Sequence, residues 1–269
     1  MSYTVILHTH STDANHRIAV QFRSDKQDLF GVTEASRIHG PIVPLVTYQG
    51  IYEELFVYTS PFAEGIPYIS VLMSSNDFQL PLEKKIATVT GLANLITRGA
   101  RTNTALCDIA TLPVTLAHQD LAPFNYLIDD CTGRVQAVLD WDGALYLPVG
   151  SNFHSIDNLF GFMTPSCWQD TEDRKELEEA FYNQALDSLA VKGFSGITKE
   201  QLESQKAIGI LLYGVERLLR FKNERAEHYL EGYLQALSFM SGFIFSYYIS
   251  YGWDLDEGVK ERRSRVWAE

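Results

Sequence analysis

Four polar side chains in the range 116–142 have the types and spacing of a catalytic site: His118, Asp120, Asn125 and Asp140. An aspartate in a loop can accept a proton from an attacking hydroxyl or amine group. Mg²⁺ binds amide and carboxylate oxygens, takes only one or two of them from the protein, and fills its other positions with phosphate and water. The stretch therefore predicts a general base at Asp120 and a hard-cation site at Asn125 and Asp140.

A hairpin must position these groups. Pro123 suits a loop between Asp120 and Asn125, and the apolar run VQAVLD predicts a strand that ends at Asp140. The segment between them is typical of a hairpin turn, with Asp129, Asp130 and Gly133 as its turn residues. Any single aspartate or asparagine here is itself interpreted as a turn residue, and only the joint spacing favours a site.

The residues before the hairpin predict a small antiparallel sheet with one helix. Strands are predicted at 3–8 and 17–23, with a turn at STDAN, and again at 43–50 and 52–59. A helix capped by Asp28 is predicted to end at Gly40, which Pro41 follows. The run SPFAEG at 60–65 breaks the pattern and is the candidate hinge.

The rest of the chain is mainly helical in pattern, with helices predicted at 81–99, 171–192, 198–221 and 225–250. The fold class is therefore α+β. Residues 1–60 are predicted to form a small β-rich lobe, and residues 61–269 a larger helical lobe that carries the hairpin.

Composition limits the partners. The 269 residues are 46% hydrophobic and 21% charged, with a formal charge of −12. This charge argues against nonspecific binding to nucleic acid or to an anionic membrane, because both need a basic surface. It is compatible with a cationic small molecule, and equally with an ordinary acidic protein. Three widely spaced cysteines and an N-terminus without a signal peptide predict a cytoplasmic location.

The pattern H-x-D-x-x-x-x-N, followed by a turn and L-D-W-D, resembles the catalytic core of the aminoglycoside phosphotransferase and choline kinase-like family. The run VQFR, followed by a helix bearing Glu34, is similar to fungal members. The resemblance implies a two-lobed protein kinase-like fold, and transfer of a phosphoryl group from ATP, with Mg²⁺, to the hydroxyl of a small molecule.

The resemblance also implies a role for each matching residue. Asp120 becomes the catalytic base, Asn125 and Asp140 the metal ligands, and His118 a structural residue. Asp142 assists the second strand or the substrate pocket, and Trp141 is assigned to the core. The residues implied in nucleotide binding are Arg23, Glu34, Tyr58, Ser60 and Phe62, with adenine against the backbone at 58–62.

Two departures from the family pattern leave a second hypothesis open. The family's first strand and glycine-containing phosphate turn are not found before Tyr3, and Gln21 stands where a phosphate-binding lysine is expected. Arg23, on the same strand face as Gln21, is predicted to pair with Glu34 and to reach a phosphate. The alternative to a kinase is therefore a kinase-like pseudoenzyme or binding module, or a repurposed fold.

The late helices supply a further candidate set. Their acidic side chains attract a cationic acceptor in one interpretation and form a solvated helix face in the other. They are Glu216, Glu224, Glu227 and Glu231. The basic run 260–265 is interpreted as a solvated tail.

Overall fold

A computed structural model describes residues 2–11, 14–75, 80–102, 112–163 and 168–220. The predicted α+β class is confirmed. The helices are α1 (Phe30–His39), α2 (Tyr68–Ser74), α3 (Leu82–Arg98), α4 (Arg174–Val191) and α5 (Lys199–Arg220). The strands are β1 (Ser2–Ser11), β2 (Ala14–Arg23), β3 (Thr47–Tyr52), β4 (Leu55–Pro61), β5 (Ile66–Pro67), β6 (Val114–Ala117), β7 (Tyr126–Ile128), β8 (Val135–Val138), β9 (Leu145–Pro148), β10 (Gly161–Met163) and β11 (Trp168–Asp170).

The predicted N-terminal sheet has four antiparallel strands in the order β1-β2-β4-β3. Residues 3–8 and 17–23 lie in β1 and β2 as expected. Of the predicted STDAN turn, residues 12 and 13 lie outside the described residues. The sheet places Arg23 at the last position of β2, opposite Phe56 of β4.

The second strand pair was predicted with wrong boundaries. Residues 43–46 precede β3 and follow a short 3₁₀ turn at Gly40–Ile42, and Pro44 has no N–H to donate to a strand partner. Glu53 and Glu54 were assigned to a strand but form the β3–β4 turn, with φ angles of 47° and 68°. Two successive positive φ angles give the turn whose twist matches that of the strands it joins, and it usually contains glycine or asparagine. Two glutamates therefore gave no turn signal.

Helix α1 ends as predicted, but its N-cap is Leu29 and not Asp28, so the helix begins one residue later than expected. The Asp28 carboxylate accepts a hydrogen bond from the Phe30 N–H at 2.9 Å, so it satisfies one of the free donors at the helix start. The buried face of α1 consists of Gly31, Val32, Ala35 and His39. A Cβ on Gly31 would lie 2.2 Å from the carbonyl oxygen of Trp141. Only glycine therefore allows α1 to pack this closely on the segment after β8.

The candidate hinge was placed too early in the chain, because its first two residues, Ser60 and Pro61, still belong to β4. Strand β4 runs to Pro61, and the chain then reaches β5, whose Ile66 and Pro67 pair with Ile128 and Leu127 of β7. Residues 62–65 thus connect the N-terminal sheet directly to the site-bearing strands. A lobe boundary at residue 60 stays a prediction.

The predicted strand–turn–strand hairpin consists of β7 and β8. The Gly133 N–H donates to the Asp129 carbonyl at 2.8 Å, and Gly133 has a φ of 73°. A Cβ at Gly133 would lie 2.3 Å from the Lys84 carbonyl oxygen of α3. Glycine therefore permits both the turn and its contact with α3. Strand β9, which pairs with β6, was not predicted.

The predicted helices at 81–99, 171–192 and 198–221 are confirmed as α3, α4 and α5, while residues 225–250 lie outside the described residues. One hydrophobic cluster joins Val32 of α1 to Leu92 of α3, Ile128 of β7 and Phe181 of α4. The β7–β8 hairpin therefore rests on the same core as α1. In the described part of the chain, no helix combines the length and apolar character needed to cross a membrane.

Candidate active site

The loop after β6 carries Asp120, which is exposed to solvent. Its backbone N–H donates to Nδ1 of His118 at 3.1 Å, and His118 Nε2 lies 2.7 Å from the Leu139 carbonyl oxygen. Since Nδ1 accepts, the proton is on Nε2, which donates to Leu139. His118 is 1% exposed, and burial lowers its pKa. A neutral imidazole therefore fixes the loop, as the structural role predicted for His118 requires.

Asn125 closes the loop at the start of β7. Its side-chain nitrogen Nδ2 donates to the Asp120 carbonyl oxygen at 2.7 Å and to Asp120 Oδ2 at 3.3 Å. Its backbone N–H donates to the Ala122 carbonyl at 2.8 Å. These bonds fix which way the amide faces, and they leave the oxygen Oδ1 as the atom available to a cation.

Asp140 follows β8, is exposed, and has a φ of 58°. The preceding residue, Leu139, donates its N–H to the Asn125 carbonyl at 2.8 Å, and its carbonyl accepts the bond from His118. Two hydrogen bonds to one residue therefore tie the Asp120 loop to the strand end that presents Asp140. The left-handed backbone is uncommon for aspartate, and such conformations cluster at functional sites.

Two histidine rings contact Trp141, which is 1% exposed, as its assignment to the core predicts. The His39 ring is stacked on Trp141 with centroids 5.2 Å apart, and the His118 ring meets it edge-on at 4.7 Å. Both ring nitrogens of His39 are buried without a hydrogen-bond partner. Burial, and secondly the charge of Arg98, lower the pKa of His39 to about 4. Trp141 thus links α1 to the Asp120 loop through neutral rings.

The predicted pair between Arg23 and Glu34 is wrong. Arg23 Nη2 lies 3.8 Å from Asp142 Oδ2. Glu34 instead accepts hydrogen bonds from Arg37, at 3.2 and 2.9 Å, and from the Tyr146 hydroxyl at 2.9 Å. The bonds from Arg37 and Tyr146 lower the pKa of Glu34. The side chain of Glu34 thus bonds to β9 and to its own helix, because Tyr146 and Arg37 both lie beside it.

Asp142 lies in a concentration of negative charge. Burial raises its pKa, Arg23 opposes that rise, and the carboxylates of Asp140 and Asp28 add to it. The guanidinium of Arg23 therefore partly offsets the negative charge around Asp142.

The predicted adenine segment is only partly available. Tyr58 is 1% exposed, and its hydroxyl accepts the Gln27 N–H at 2.8 Å. Ser60 pairs with Ala19 of β2, and the Phe62 N–H donates to the Arg17 carbonyl at 3.1 Å. The Phe62 donor is therefore already used within the sheet.

Arg17 covers the same segment. Its guanidinium lies 3.9 Å from the centre of the Phe62 ring and forms two hydrogen bonds with Glu64, at 2.5 and 2.6 Å. These contacts, which the sequence does not predict, hold Phe62 and Glu64 of the candidate hinge against β2.

The donor set fits Mg²⁺. Asn125 offers a neutral oxygen and Asp140 an anionic one, and Mg²⁺ needs no more than one or two protein oxygens. The described residues contain one other group of possible ligands, Asp129, Asp130 and Cys131, in the exposed hairpin turn. Asp129 already accepts two hydrogen bonds from Thr132, at 2.8 Å each. Because these bonds stabilise the hairpin turn, we interpret the three residues as part of the predicted turn.

The contacts made by Tyr146, Asp142 and His39 were not predicted from the sequence. Tyr146 lies in β9, and the apolar run ALYLP after Gly143 was the available signal for that strand. The acidic set on the late helices is not described by the structure. Glu224, Glu227 and Glu231 lie outside the described residues, and the side chain of Glu216 is also outside them.

Comparisons with known proteins give structural likeness alone. No protein-family model matches the chain, and no curated protein does. Among solved structures, an aminoglycoside-3'-phosphotransferase of type VIII is similar, with a TM-score of 0.45 and 16% identity. The match covers 76% of this chain and 92% of that one.

Two further likenesses are of the same kind. An aminoglycoside phosphotransferase from Streptomyces rimosus has a TM-score of 0.42 and 12% identity, over 77% of this chain and 90% of its own. An ethanolamine kinase from Plasmodium vivax has a TM-score of 0.40 and 13% identity, over 87% and 78%. These similarities agree with the predicted resemblance to the aminoglycoside phosphotransferase and choline kinase-like family. The narrower resemblance to fungal members stays a prediction. All TM-scores are below 0.5, so the functional case rests on the side chains of the hairpin.

Proposed function

We propose that this protein is an ATP- and Mg²⁺-dependent phosphotransferase that acts on the hydroxyl group of a small molecule, in the cytoplasm. One observation carries the proposal: hydrogen bonds join the exposed Asp120, Asn125 and the residue before Asp140 into a single unit. His118 and Asn125 fix the Asp120 loop, and both bond to Leu139, the residue next to Asp140. Phosphoryl transfer requires mainly this kind of positioning, together with neutralisation of charge.

In this proposal Asp120 is the general base. Its carboxylate is exposed to an incoming acceptor, while its backbone N–H and carbonyl are both held by hydrogen bonds. Oδ2 accepts the acceptor's hydroxyl proton as that oxygen attacks the terminal phosphorus, and the bond to the leaving nucleoside diphosphate breaks. The Asn125 amide at 3.3 Å keeps the carboxylate oriented during this step.

Asn125 and Asp140 would hold Mg²⁺, which neutralises phosphate charge when bound. Arg23, Tyr58, Ser60 and Phe62 would line the nucleotide side of the site. Glu34 contributes indirectly, because its bond to Tyr146 holds α1 against β9.

The acceptor is proposed to be a small molecule that presents a hydroxyl group. A cationic acceptor would suit the formal charge of −12 and the carboxylates of Asp120, Asp140 and Asp142.

A kinase-like binding module remains the second candidate, and a specific observation favours it. The Phe62 N–H is already bonded to Arg17, and Arg23 is not paired with Glu34. Both observations depart from the nucleotide site that the family resemblance implies.

The experiment is a screen for ADP formation from MgATP, with a panel of aminoglycosides, choline-like amines, sugars and other hydroxyl compounds. We expect one class to give ADP with the wild-type protein, and Asp120→Asn to lower the rate by at least about 10²-fold, because a positioned base contributes that much. Asp130→Asn is the matched control, since it removes an exposed aspartate from the turn of the same hairpin and should keep the rate. An active Asp120→Asn variant would contradict the role of the base.

A further inference from the structure

Arg23 lies beside Asp142, and not beside Glu34 as the sequence predicts. It is the last residue of β2, its side chain is 23% exposed, and its Nη2 lies 3.8 Å from Asp142 Oδ2. A guanidinium has five N–H donors, and a contact of this length with one carboxylate oxygen leaves donors for a second anion. Arg23 can therefore stay beside Asp142 while it binds a phosphate oxygen.

The carboxylate of Glu34 is hydrogen-bonded to residues other than Arg23. Arg37 donates to both of its carboxylate oxygens, and Tyr146 donates a further bond to Oε2. Arg101 lies over the Tyr146 ring, 4.0 Å from its centre, and adds positive charge on that side. These contacts direct the Glu34 carboxylate toward β9 and toward its own helix, and away from the task that the sequence assigns to it.

Asp142 lies two residues beyond the proposed metal ligand Asp140, on the segment after β8 that the hydrogen bonds of Leu139 hold in place. We propose that Asp142 is a positioning residue that holds the Arg23 guanidinium toward the phosphate chain of the nucleotide, the task expected of Glu34. This inference rests on the proposed phosphotransferase function. It assigns a role to the second aspartate of L-D-W-D that follows from its contact with β2.

The direction in which Asp142→Asn changes ATP affinity distinguishes positioning from simple charge repulsion. Asp142 is an anion, so simple repulsion of phosphate predicts that Asp142→Asn binds ATP more tightly. Positioning predicts the opposite, because the Arg23 side chain loses the group that fixes it. We expect Asp142→Asn to weaken ATP binding about fivefold. Binding of adenosine, which has no phosphates, should be unchanged.

The test is a calorimetric titration with ATP and with adenosine, each in Mg²⁺ and in EDTA. The proteins are the wild type, Asp142→Asn, Arg23→Gln and the double variant. Because Asp142 acts through Arg23, the double variant should bind ATP no more weakly than Arg23→Gln alone. The loss should persist in EDTA, which separates positioning from metal ligation. Glu203→Gln removes the acid of another exposed ion pair, Lys199–Glu203, and serves as the matched control.

Several outcomes overturn the inference. Asp142→Asn that binds ATP as tightly as the wild type, or more tightly, contradicts it, as does a double variant whose losses add. A loss in Glu34→Gln without one in Asp142→Asn would return the role to Glu34. A wild-type protein that binds no ATP overturns the proposed function itself, and this result differs from failure of the Asp142 variant alone.

Discussion

The imidazole of His118 positions the Asp120 loop without carrying a charge. It accepts from the Asp120 N–H and donates to the Leu139 carbonyl, so its tautomer is set by its two neighbours. The ring of His39 is also buried, but both of its nitrogens lack a hydrogen-bond partner. The His39 ring is stacked on Trp141.

The pH dependence of stability should therefore report on His39. Its pKa falls from 6.5 in the unfolded chain to about 4 in the fold, so the unfolded state binds the proton first. Stability should fall as pH drops from 6.5 to 4, by on the order of 3 kcal/mol from this group. The positive charge of Arg98 acts on His39 in the same direction as burial.

The measurement is urea unfolding at several pH values between 7 and 4. His39→Phe keeps an aromatic ring against Trp141 and should flatten the profile by that amount. His8→Phe, at an exposed position of β1, is the matched control and should keep the wild-type profile. Identical profiles for His39→Phe and the wild type would contradict the assignment.

At the scale of elements, the contact between α1 and the segment after β8 connects the N-terminal sheet with the hairpin. Gly31 lies against the Trp141 carbonyl, His39 lies on the Trp141 ring, and Glu34 bonds to Tyr146 of β9. The helix, the hairpin and their order follow from local patterns in the sequence. The partners of Glu34 and Arg23 do not, because Tyr146 lies 112 positions from Glu34 and the strand that carries it gave only a short apolar signal.

Gly31→Ala should separate these elements. The added Cβ would lie 2.2 Å from a backbone oxygen that cannot move without shifting Asp140 and Asp142. We expect a loss of about 1–3 kcal/mol in the free energy of unfolding, together with weaker MgATP binding. Gly196→Ala is the control, because a Cβ there meets nothing within 4 Å, and its stability should stay within about 0.5 kcal/mol of the wild type. Wild-type stability in Gly31→Ala would show that α1 does not pack this tightly.

At the scale of the whole molecule, one core supports both halves of the proposed site. Val32 of α1 and Ile128 of β7 belong to the same hydrophobic cluster, so nucleotide-side and metal-side residues are held by shared packing. The spacing His118–Asp120–Asn125–Asp140 was readable because all four belong to one hairpin and its approach. The contacts on the nucleotide side could not be predicted in this way. Arg17, Arg23 and Phe62 contact partners on other strands or in distant segments of the chain.

The most direct test of the central claim is a calorimetric titration of the wild-type protein with MgATP, beside Asp140→Asn and Asp130→Asn. We predict that the wild type binds ATP at or below millimolar concentration in Mg²⁺. Asp140→Asn should lose at least about tenfold in Mg²⁺ and little in EDTA, since it removes an anionic ligand of the ion. Asp130→Asn should bind like the wild type. No binding at millimolar ATP, or equal affinity of Asp140→Asn and the wild type in Mg²⁺, would contradict a phosphoryl-transfer site at this hairpin.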